Sequence, residues 1–296
     1  MDGPAAASPA PGLAQGLGNR IDSAATTPAP AFDGWWRGFF DDAYRFLYGD
    51  LLGPVRTERE VAAVWSLLGL REGQRLLDLC CGDGRHAVPL RRRGLEVCGV
   101  DASAVLLRRG AERAARVLPD ESPRPAFVQA DARALPLRAG AFDGGICLFN
   151  SIGYAGDEGT QSLLREAARA LRPGARLLVE CDPRERAEDA AQQKEPESGP
   201  ARRAWRETER AVVRGVPVEV ERWREDGWQH AVFRWEEQGV RRERALHHRL
   251  HDRALLGAWL EAAGLREVRF LGGYDGRDFT AGSPVLLALG TRAEPG

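Results

Sequence analysis

Nowhere does the chain carry the roughly 18 to 20 consecutive apolar residues that span a bilayer, so no membrane partner is expected. Its first stretch, MDGPAAASPAPGLAQGLGNR, has neither a basic start nor a continuous apolar run, which argues against a secretory signal. No two of the five cysteines, Cys80, Cys81, Cys98, Cys147 and Cys181, form a C-x-x-C pair. All five fall on or at the ends of expected strands, so we read them as reduced core thiols of a cytoplasmic protein. An excess of charge is missing too: 42 basic residues face 43 acidic ones, which removes any general reason to expect nucleic acid as a partner. There is no internal repeat.

Residues 1–31 are Ala, Pro and Gly with few large apolar side chains, and we expect a disordered tail there. Around Asp33 the composition changes to FDGWWRGFFDDAYRFLYGDLL. The spacing predicts one helix with Trp36, Phe39, Phe40, Tyr44, Leu47 and Tyr48 on one side, packed on the core, with Tyr44 or Tyr48 facing a ligand. Thr57-Glu58-Arg59-Glu60 has the form of a capping box opening a second helix, with Val61, Val64, Trp65 and Leu68 at helical spacing. A strand from Leu76 into the glycine turn and strands at 95–101, 126–131, 142–150 and 175–182 then alternate with helices near 85–94, 103–117 and 161–171 and a helical turn after the third strand, with Pro89 expected to kink the first helix. Arg172-Pro173-Gly174 reads as a tight turn before the fifth strand. Such alternation means a parallel sheet with helices on both faces.

The rhythm breaks after Asp182. Residues 183–203 are polar and read as a helix fragment plus loop, followed by strand patterns at 204–213, 216–224, 229–237 and 241–251, with Asp226-Gly227 a hairpin signal. Trp205, Trp223, Trp228 and Trp235 are expected to form the small core of this meander. An insertion after the fifth parallel strand begins over the ligand edge, so it is expected to serve as a lid or substrate wall. Asp252 can cap a helix ending at Gly264, and strands at 267–271 and 284–290 close the chain. The expected fold class is therefore α/β: a Rossmann-like doubly wound sheet, mostly parallel with an antiparallel last strand, plus a small antiparallel β insertion. The expected division is a tail over 1–31, N-terminal helices and cofactor-binding core over 32–182, the inserted lid over 183–251, and a C-terminal helix with two strands over 252–296.

Leu76-Leu77-Asp78-Leu79-Cys80-Cys81-Gly82-Asp83-Gly84-Arg85-His86 is a buried strand that runs through a glycine turn into a helix, and it presents free backbone N–H groups to a ligand. A dinucleotide dehydrogenase needs G-x-G-x-x-G here, whereas Cys80, Gly82 and Arg85 occupy those positions. A ligand without a pyrophosphate fits better, and a nicotinamide-dependent oxidoreductase becomes the alternative. Asp78-x-Cys80-x-Gly82-x-Gly84 resembles the D-x-G-x-G-x-G first motif of class I S-adenosylmethionine-dependent methyltransferases. The R-T-x-x-E-V, L-D-L-C-C-G-x-G-R-H and S-x-G-Y stretches resemble a bacterial small-molecule branch of that family.

The resemblance implies S-adenosylmethionine as cofactor and a role for each matching residue. Asp78 orients the methionine end and the backbone of Gly82 and Gly84 lies against it, with Cys80 standing where the family often has glycine. Asp101, followed by Ala102, receives the ribose hydroxyls; Asp131 accepts from the adenine amino group and the Ala132 N–H donates to the ring. The stretch from Leu148 to Tyr154, including Phe149, lies beside the methyl group. His86 either touches the cofactor carboxylate or packs. Acceptor-side residues are expected among Tyr48, Asn150, Tyr154, His248 and Tyr274, with Tyr154 and His248 as catalytic choices and His248, in the lid, as a general base. Alternation on a strand sends His247 and His251 to one face and His248 to the other, so no metal site is expected. The implied reaction is in-line methyl transfer to a small molecule; a methyltransferase-like protein that binds cofactor or partner without turnover is the non-enzymatic alternative. Asn150-Ser151-Ile152-Gly153 is not the N-P-P-Y type of amino-directed nucleic-acid enzymes. The sequence leaves open the acceptor, the methylated atom and the oligomeric state.

Overall fold

Leu76, Leu77, Asp78 and Leu79 are buried in succession, which an extended chain achieves only when both faces of its sheet are covered. They form β1 (Arg75–Leu79) at the centre of a seven-stranded sheet in the computed structural model, which describes residues 34–184 and 206–294. The other strands are β2 (Glu96–Asp101), β3 (Ala126–Gln129), β4 (Phe142–Cys147), β5 (Leu171–Cys181), β10 (Leu265–Leu271) and β11 (Leu286–Arg292). Their order is β10-β11-β5-β4-β1-β2-β3; β1 to β5 are mutually parallel, and β11 runs antiparallel to both β5 and β10. Strands therefore step one way from β1 to β3 and the other way from β4 to β5. The crevice between the C-terminal ends of β1 and β4 is the switch point where such sheets bind ligands.

Helices cover the two faces. On one, α3 (Pro54–Leu68) and α4 (Ala87–Arg92) bury Val61, Val64, Leu68, Ala87 and Leu90 against Leu76, Ile146 and Leu178. On the other, α6 (Gly156–Ala170) and α7 (Arg253–Ala262) bury Leu163, Leu164, Leu256 and Leu260 against Leu77, Leu79 and Val179. Ser103 caps α5 (Ala104–Val117), and Asp252 caps α7 by accepting from Leu255 N–H at 2.7 Å. The insertion is a second sheet of β6 (Arg206–Val213), β7 (Val216–Glu225), β8 (Trp228–Glu237) and β9 (Val240–Arg249), antiparallel and in sequence order. Asp226-Gly227 turns with φ 49° and 78°, as expected of a two-residue hairpin; Arg214-Gly215 and Gln238-Gly239 use the same device.

Several local expectations are corrected. The aromatic stretch is not one helix: α1 (Trp36–Phe39) stops, Asp41 turns extended and accepts from Ala43 N–H at 2.8 Å, and α2 (Asp42–Tyr48) restarts before a 3-10 turn over Gly49–Leu52. A side-chain cap here outcompetes the continuous helix that spacing alone suggests. Thr57 is no N-cap, because Pro54 and Gly53 already open α3 and the Thr57 hydroxyl donates to Gly53 O at 3.1 Å. Pro89 kinks nothing, since α4 begins only at Ala87 and the missing N–H falls in the first turn. Arg172-Pro173-Gly174 forms a bulge inside β5: Phe142 and Gly144 pair with Leu171 and Arg176. Residues 1–31, most of 183–203 and Trp205 lie outside the described residues; Trp223 stacks on His230 at 4.9 Å, and Trp235 is buried near Phe46.

The apolar face of the inserted sheet, including Val218, Val220, Phe233 and Leu246, packs on Phe39 and Leu47 and on half-buried Trp35, Phe40, Tyr44 and Tyr48. The N-terminal segment is thus held between the insertion and the edge of the main sheet. Behind that edge, Gly84 has φ 69°, and a Cβ there would come within 2.8 Å of the Phe127 ring. Gly84→Ala combines backbone strain with overpacking and is expected to lower stability by about 2 kcal/mol. A urea unfolding curve checks this, and an unchanged midpoint contradicts it.

Candidate functional site

Four strand ends converge on an open cavity with about 1320 Å³ of empty space, its solvent-filled mouth included. Its floor comes from the turn after β1, the ends of β2 and β4 and the loop after β3; its roof is Trp36, Phe40, Tyr44 and Leu52. Among the described residues of the insertion, only Arg214 at the β6–β7 turn reaches the lining, where its Nε lies 3.3 Å from Asp50. The roof is tied down at several points: Ser103 Oγ donates to Phe40 O at 2.6 Å, Arg244 pairs with Asp41 at 2.8 Å, and Arg109 pairs with Asp42.

Leaving β1, the chain turns through Cys80, Gly82 and Gly84, all at positive φ. The turn is fastened by Asp101, whose Oδ2 accepts from Gly82 N–H and whose Oδ1 accepts from Ser103 N–H, both at 2.8 Å. Burial pushes the Asp101 carboxyl up, while these two N–H donors pull it down; the net shift is upward. Asp78, only 2% exposed, is pushed up by burial to about 8 against the opposing charge of Arg85. Its Oδ2 has no hydrogen-bond partner among the described residues. Arg85 is also buried: Nη1 donates to Glu60 and, at 3.3 Å, to Thr57 Oγ1, while Nη2 has no partner among the described residues. Asp78 and Arg85 both line the cavity, and a buried acceptor beside a buried donor, each with a hydrogen bond unmade, suits a ligand carrying an ammonium and a carboxylate.

Beneath them lies a cluster of charges that no sequence motif reveals. Glu60 takes Arg56 Nε at 2.6 Å, Arg85, and His86 Nε2 at 2.8 Å. Burial raises its carboxyl, but the hydrogen bond from His86 and the charges of Arg85 and Arg56 outweigh this and bring it to about 2. His86 is lowered to about 4 by burial and by Arg85, so at neutral pH it is an uncharged donor to Glu60. It lines the cavity as well as packing.

At the end of β4, Phe149 and Asn150 take φ 59° and 62°, two successive left-handed residues without a glycine. Buried Glu180 holds this turn by accepting from Phe149 N–H at 2.6 Å, and the Tyr274 hydroxyl donates to the same oxygen at 2.7 Å. Asn150 is fixed by Asp182, whose N–H donates to its Oδ1 at 3.0 Å. Arg56 and Arg85 lie 5.2 and 5.7 Å from the Phe149 ring centre.

Of the residues expected to touch the cofactor, Asp78, Cys80, Gly82, Asp101, Ala102, Asp131, Ala132 and Phe149 line the cavity; Gly84 does not, being packed against Phe127. Tyr154 lines it too, its hydroxyl pushed well up by burial and by Tyr44 and Tyr48. Tyr48, Asn150, Tyr274 and His248 are not in the lining. Tyr48 stacks on Tyr44 at 5.3 Å, and Tyr44 is the member of that pair that reaches the cavity. His248 Nε2 is 3.1 Å from Asp182 Oδ2, whereas His247 Nδ1 meets His230 Nδ1 at 2.7 Å and His251 packs on Trp259. No group of three metal-ligating side chains occurs among the described residues. Sequence reasoning missed Arg85, Arg113, Arg133, Arg214 and the roof residues Trp36 and Leu52; only the density of aromatics before residue 50 hinted at the roof.

A doubly wound sheet with an acid at the end of β1, an acid at the end of β2 and a glycine turn between them has the form of sheets that bind nucleoside cofactors at the switch point. Residues 76–174 match the family model described as a methyltransferase domain. The chain is 33% identical over 144 residues to demethylmenaquinone methyltransferase of Beutenbergia cavernae, covering 48% of this chain and 55% of that protein. It is 36% identical over 131 residues to 2-phytyl-1,4-naphtoquinone methyltransferase of Nostoc punctiforme, covering 43% and 54%. The chain thus spans about half the length of the curated relatives it matches. A crystal structure of an S-adenosylmethionine-dependent methyltransferase from Clostridium acetobutylicum has the same fold, with TM-score 0.69 and 14% identity over 86% of this chain and 99% of that one. Residues 76–174 are thus similar to a methyltransferase domain, carried on a sheet with the fold of that S-adenosylmethionine-dependent enzyme. No helix among the described residues is long and apolar enough to cross a membrane.

The Asp78 carboxyl gives a pH test of this wall. Its folded value near 8 lies above the ordinary 3.8, so the folded state binds the extra proton and loses stability as pH rises between them. Relative to Asp78→Asn, the wild type without ligand is expected to lose about 1.4 kcal/mol per pH unit from roughly pH 5 to 8. Paired denaturation curves measure the difference, and a flat difference contradicts the burial of an unpartnered carboxyl.

Proposed function

We propose that the protein transfers a methyl group from S-adenosylmethionine to a small-molecule acceptor by in-line displacement. The observation carrying this reading is that Asp78 and Arg85, which line the cavity with Asp101, each keep a buried atom, Oδ2 and Nη2, without a hydrogen-bond partner among the described residues. Asp78 would take the methionine ammonium and Arg85 its carboxylate. Asp101 has one lone pair committed on each oxygen and offers the other pair to the ribose hydroxyls. The bound cofactor supplies an activated methyl electrophile. The chain's own contribution is alignment and exclusion of water: Tyr44, Phe40 and Trp36 close the cavity, and Glu180, supported by Tyr274, fixes the Phe149–Asn150 turn at the methyl end.

Tyr154 remains a protonated hydroxyl at neutral pH, and we assign it to orienting the acceptor by hydrogen bonding. His248, the base expected from the sequence, is buried beside Asp182 and outside the cavity lining, so no base is assigned to it. Tyr48 backs Tyr44 in the roof. The inserted sheet acts as a buttress that keeps the roof over the cavity, with Arg214 as its contact at the mouth. Relatives named for quinone methylation support an organic small-molecule acceptor over a macromolecule. The five free thiols suit a cytoplasmic protein.

Calorimetry with S-adenosylmethionine is expected to show binding, and Asp101→Asn is expected to weaken it about tenfold or more through loss of a charged acceptor. Absence of binding to the folded wild type at millimolar ligand contradicts the reading. Incubation with methyl-labelled cofactor and pools of small organic acceptors is expected to yield labelled product; binding without transfer to any acceptor favours a domain that has lost catalysis.

A further inference from the structure

The adenine end of the cavity departs from the arrangement that the family resemblance implies. Asp131 follows β3 and lines the cavity, but both of its oxygens are taken by Arg133. Arg133 Nε lies 3.0 Å from Oδ1 and 3.1 Å from Oδ2, Nη2 donates to Oδ2 at 2.7 Å, and the Arg133 N–H donates to Oδ1 at 2.9 Å. A carboxylate has about four lone-pair positions. Three N–H groups make these contacts, with Nε shared between the two oxygens, and they occupy most of those positions.

Arg133 is held in this place from two sides. Its guanidinium lies 5.1 Å from the centre of the Trp36 ring, a cation–π contact with the roof. Its stem runs beside Gly159 in α6, where a Cβ would stand 3.3 Å from Arg133 Cδ. Trp36, Asp131, Ala132 and Arg133 all line the cavity. The hydrogen bonds from Arg133 keep the Asp131 carboxyl below the usual carboxylate range, so the pair stays charged throughout the neutral region. A purine amino group must therefore compete with a bidentate ion pair for Asp131, whose side chain is 38% exposed.

We propose that Arg133 masks Asp131, so that the pocket does not read the exocyclic amino group of the cofactor's purine and accepts a 6-oxo purine equally well. The proposal rests on the S-adenosylmethionine reading above. Purine selection then falls to the shape of the slot and to the Trp36 and Arg133 side of the cavity, with Arg133 as the residue that sets base specificity.

The test is titration calorimetry of the full chain with S-adenosyl-L-homocysteine and with S-inosyl-L-homocysteine, which differs in carrying an oxygen in place of the 6-amino group. The expected dissociation constants agree within about threefold, whereas an Asp131 free to accept from the amino group gives the adenine form an advantage of roughly tenfold to a hundredfold. Arg133→Ala, which unmasks Asp131, is expected to create that advantage. Trp36→Ala, which loosens Arg133 without touching Asp131, is expected to move the ratio in the same direction by a smaller amount and serves if the first variant does not fold. A preference of tenfold or more in the wild type, or a folded Arg133→Ala protein with an unchanged ratio, overturns the proposal. Binding of the adenine form alone overturns only this proposal; failure of both ligands to bind overturns the cofactor reading as well.

Discussion

A carboxyl group buried at the end of the central strand, with one oxygen lacking a donor, is the constraint on which the site depends. Burial without a partner costs free energy that folding must offset elsewhere, and the group responds by holding a proton well above the ordinary carboxyl range. The surroundings show how the position is kept: Arg85 stands near it with an unsatisfied nitrogen of its own, and is anchored through Glu60, Arg56 and His86. Charges that would be expensive alone are tolerable in this cluster because most of their hydrogen bonds are made within it. The two that are not made belong to residues that line the cavity.

The same logic continues at the methyl end. Phe149 and Asn150 adopt a backbone conformation that costs roughly 1 to 3 kcal/mol per residue. They are held by alternate residues of one strand end, Glu180 and Asp182, with Tyr274 fixing Glu180 from the loop after β10. Strain here is supported by the rigid parallel sheet, while the roof is built of short helices pinned by individual hydrogen bonds and ion pairs. The inserted sheet packs on the outside of that roof, so its apolar face acts on the cavity through Phe39, Tyr44 and Tyr48.

The main sheet was legible because each parallel strand is a short apolar run ended by a turn signal, and because acids recur at the strand ends. Asp78, Asp101 and Asp131 are therefore placed together at one edge by the sequence pattern alone. What sequence could not show was competition at single positions. Asp41 breaks the aromatic helix through a local hydrogen bond that helical spacing does not register. Glu60 stands three residues after Thr57, as a capping-box glutamate does, yet it faces inward to Arg85 and His86 across 25 and 26 residues. Arg133 sits two residues after Asp131, where no periodicity distinguishes a solvent-facing arginine from one that occupies the carboxylate. The aromatic roof was visible in composition, but its position over the cavity depends on packing against the insertion, a long-range contact.

The central claim is that the buried Asp78 carboxyl gives up its proton to receive the ammonium group of the cofactor. Titration of S-adenosyl-L-homocysteine at pH 7 in two buffers of different ionisation enthalpy measures that proton directly. With a free-protein value near 8, Asp78 is mostly protonated at pH 7, so binding should release close to one proton and the apparent enthalpy should shift with the buffer accordingly. An enthalpy independent of the buffer, with binding otherwise intact, would contradict the account.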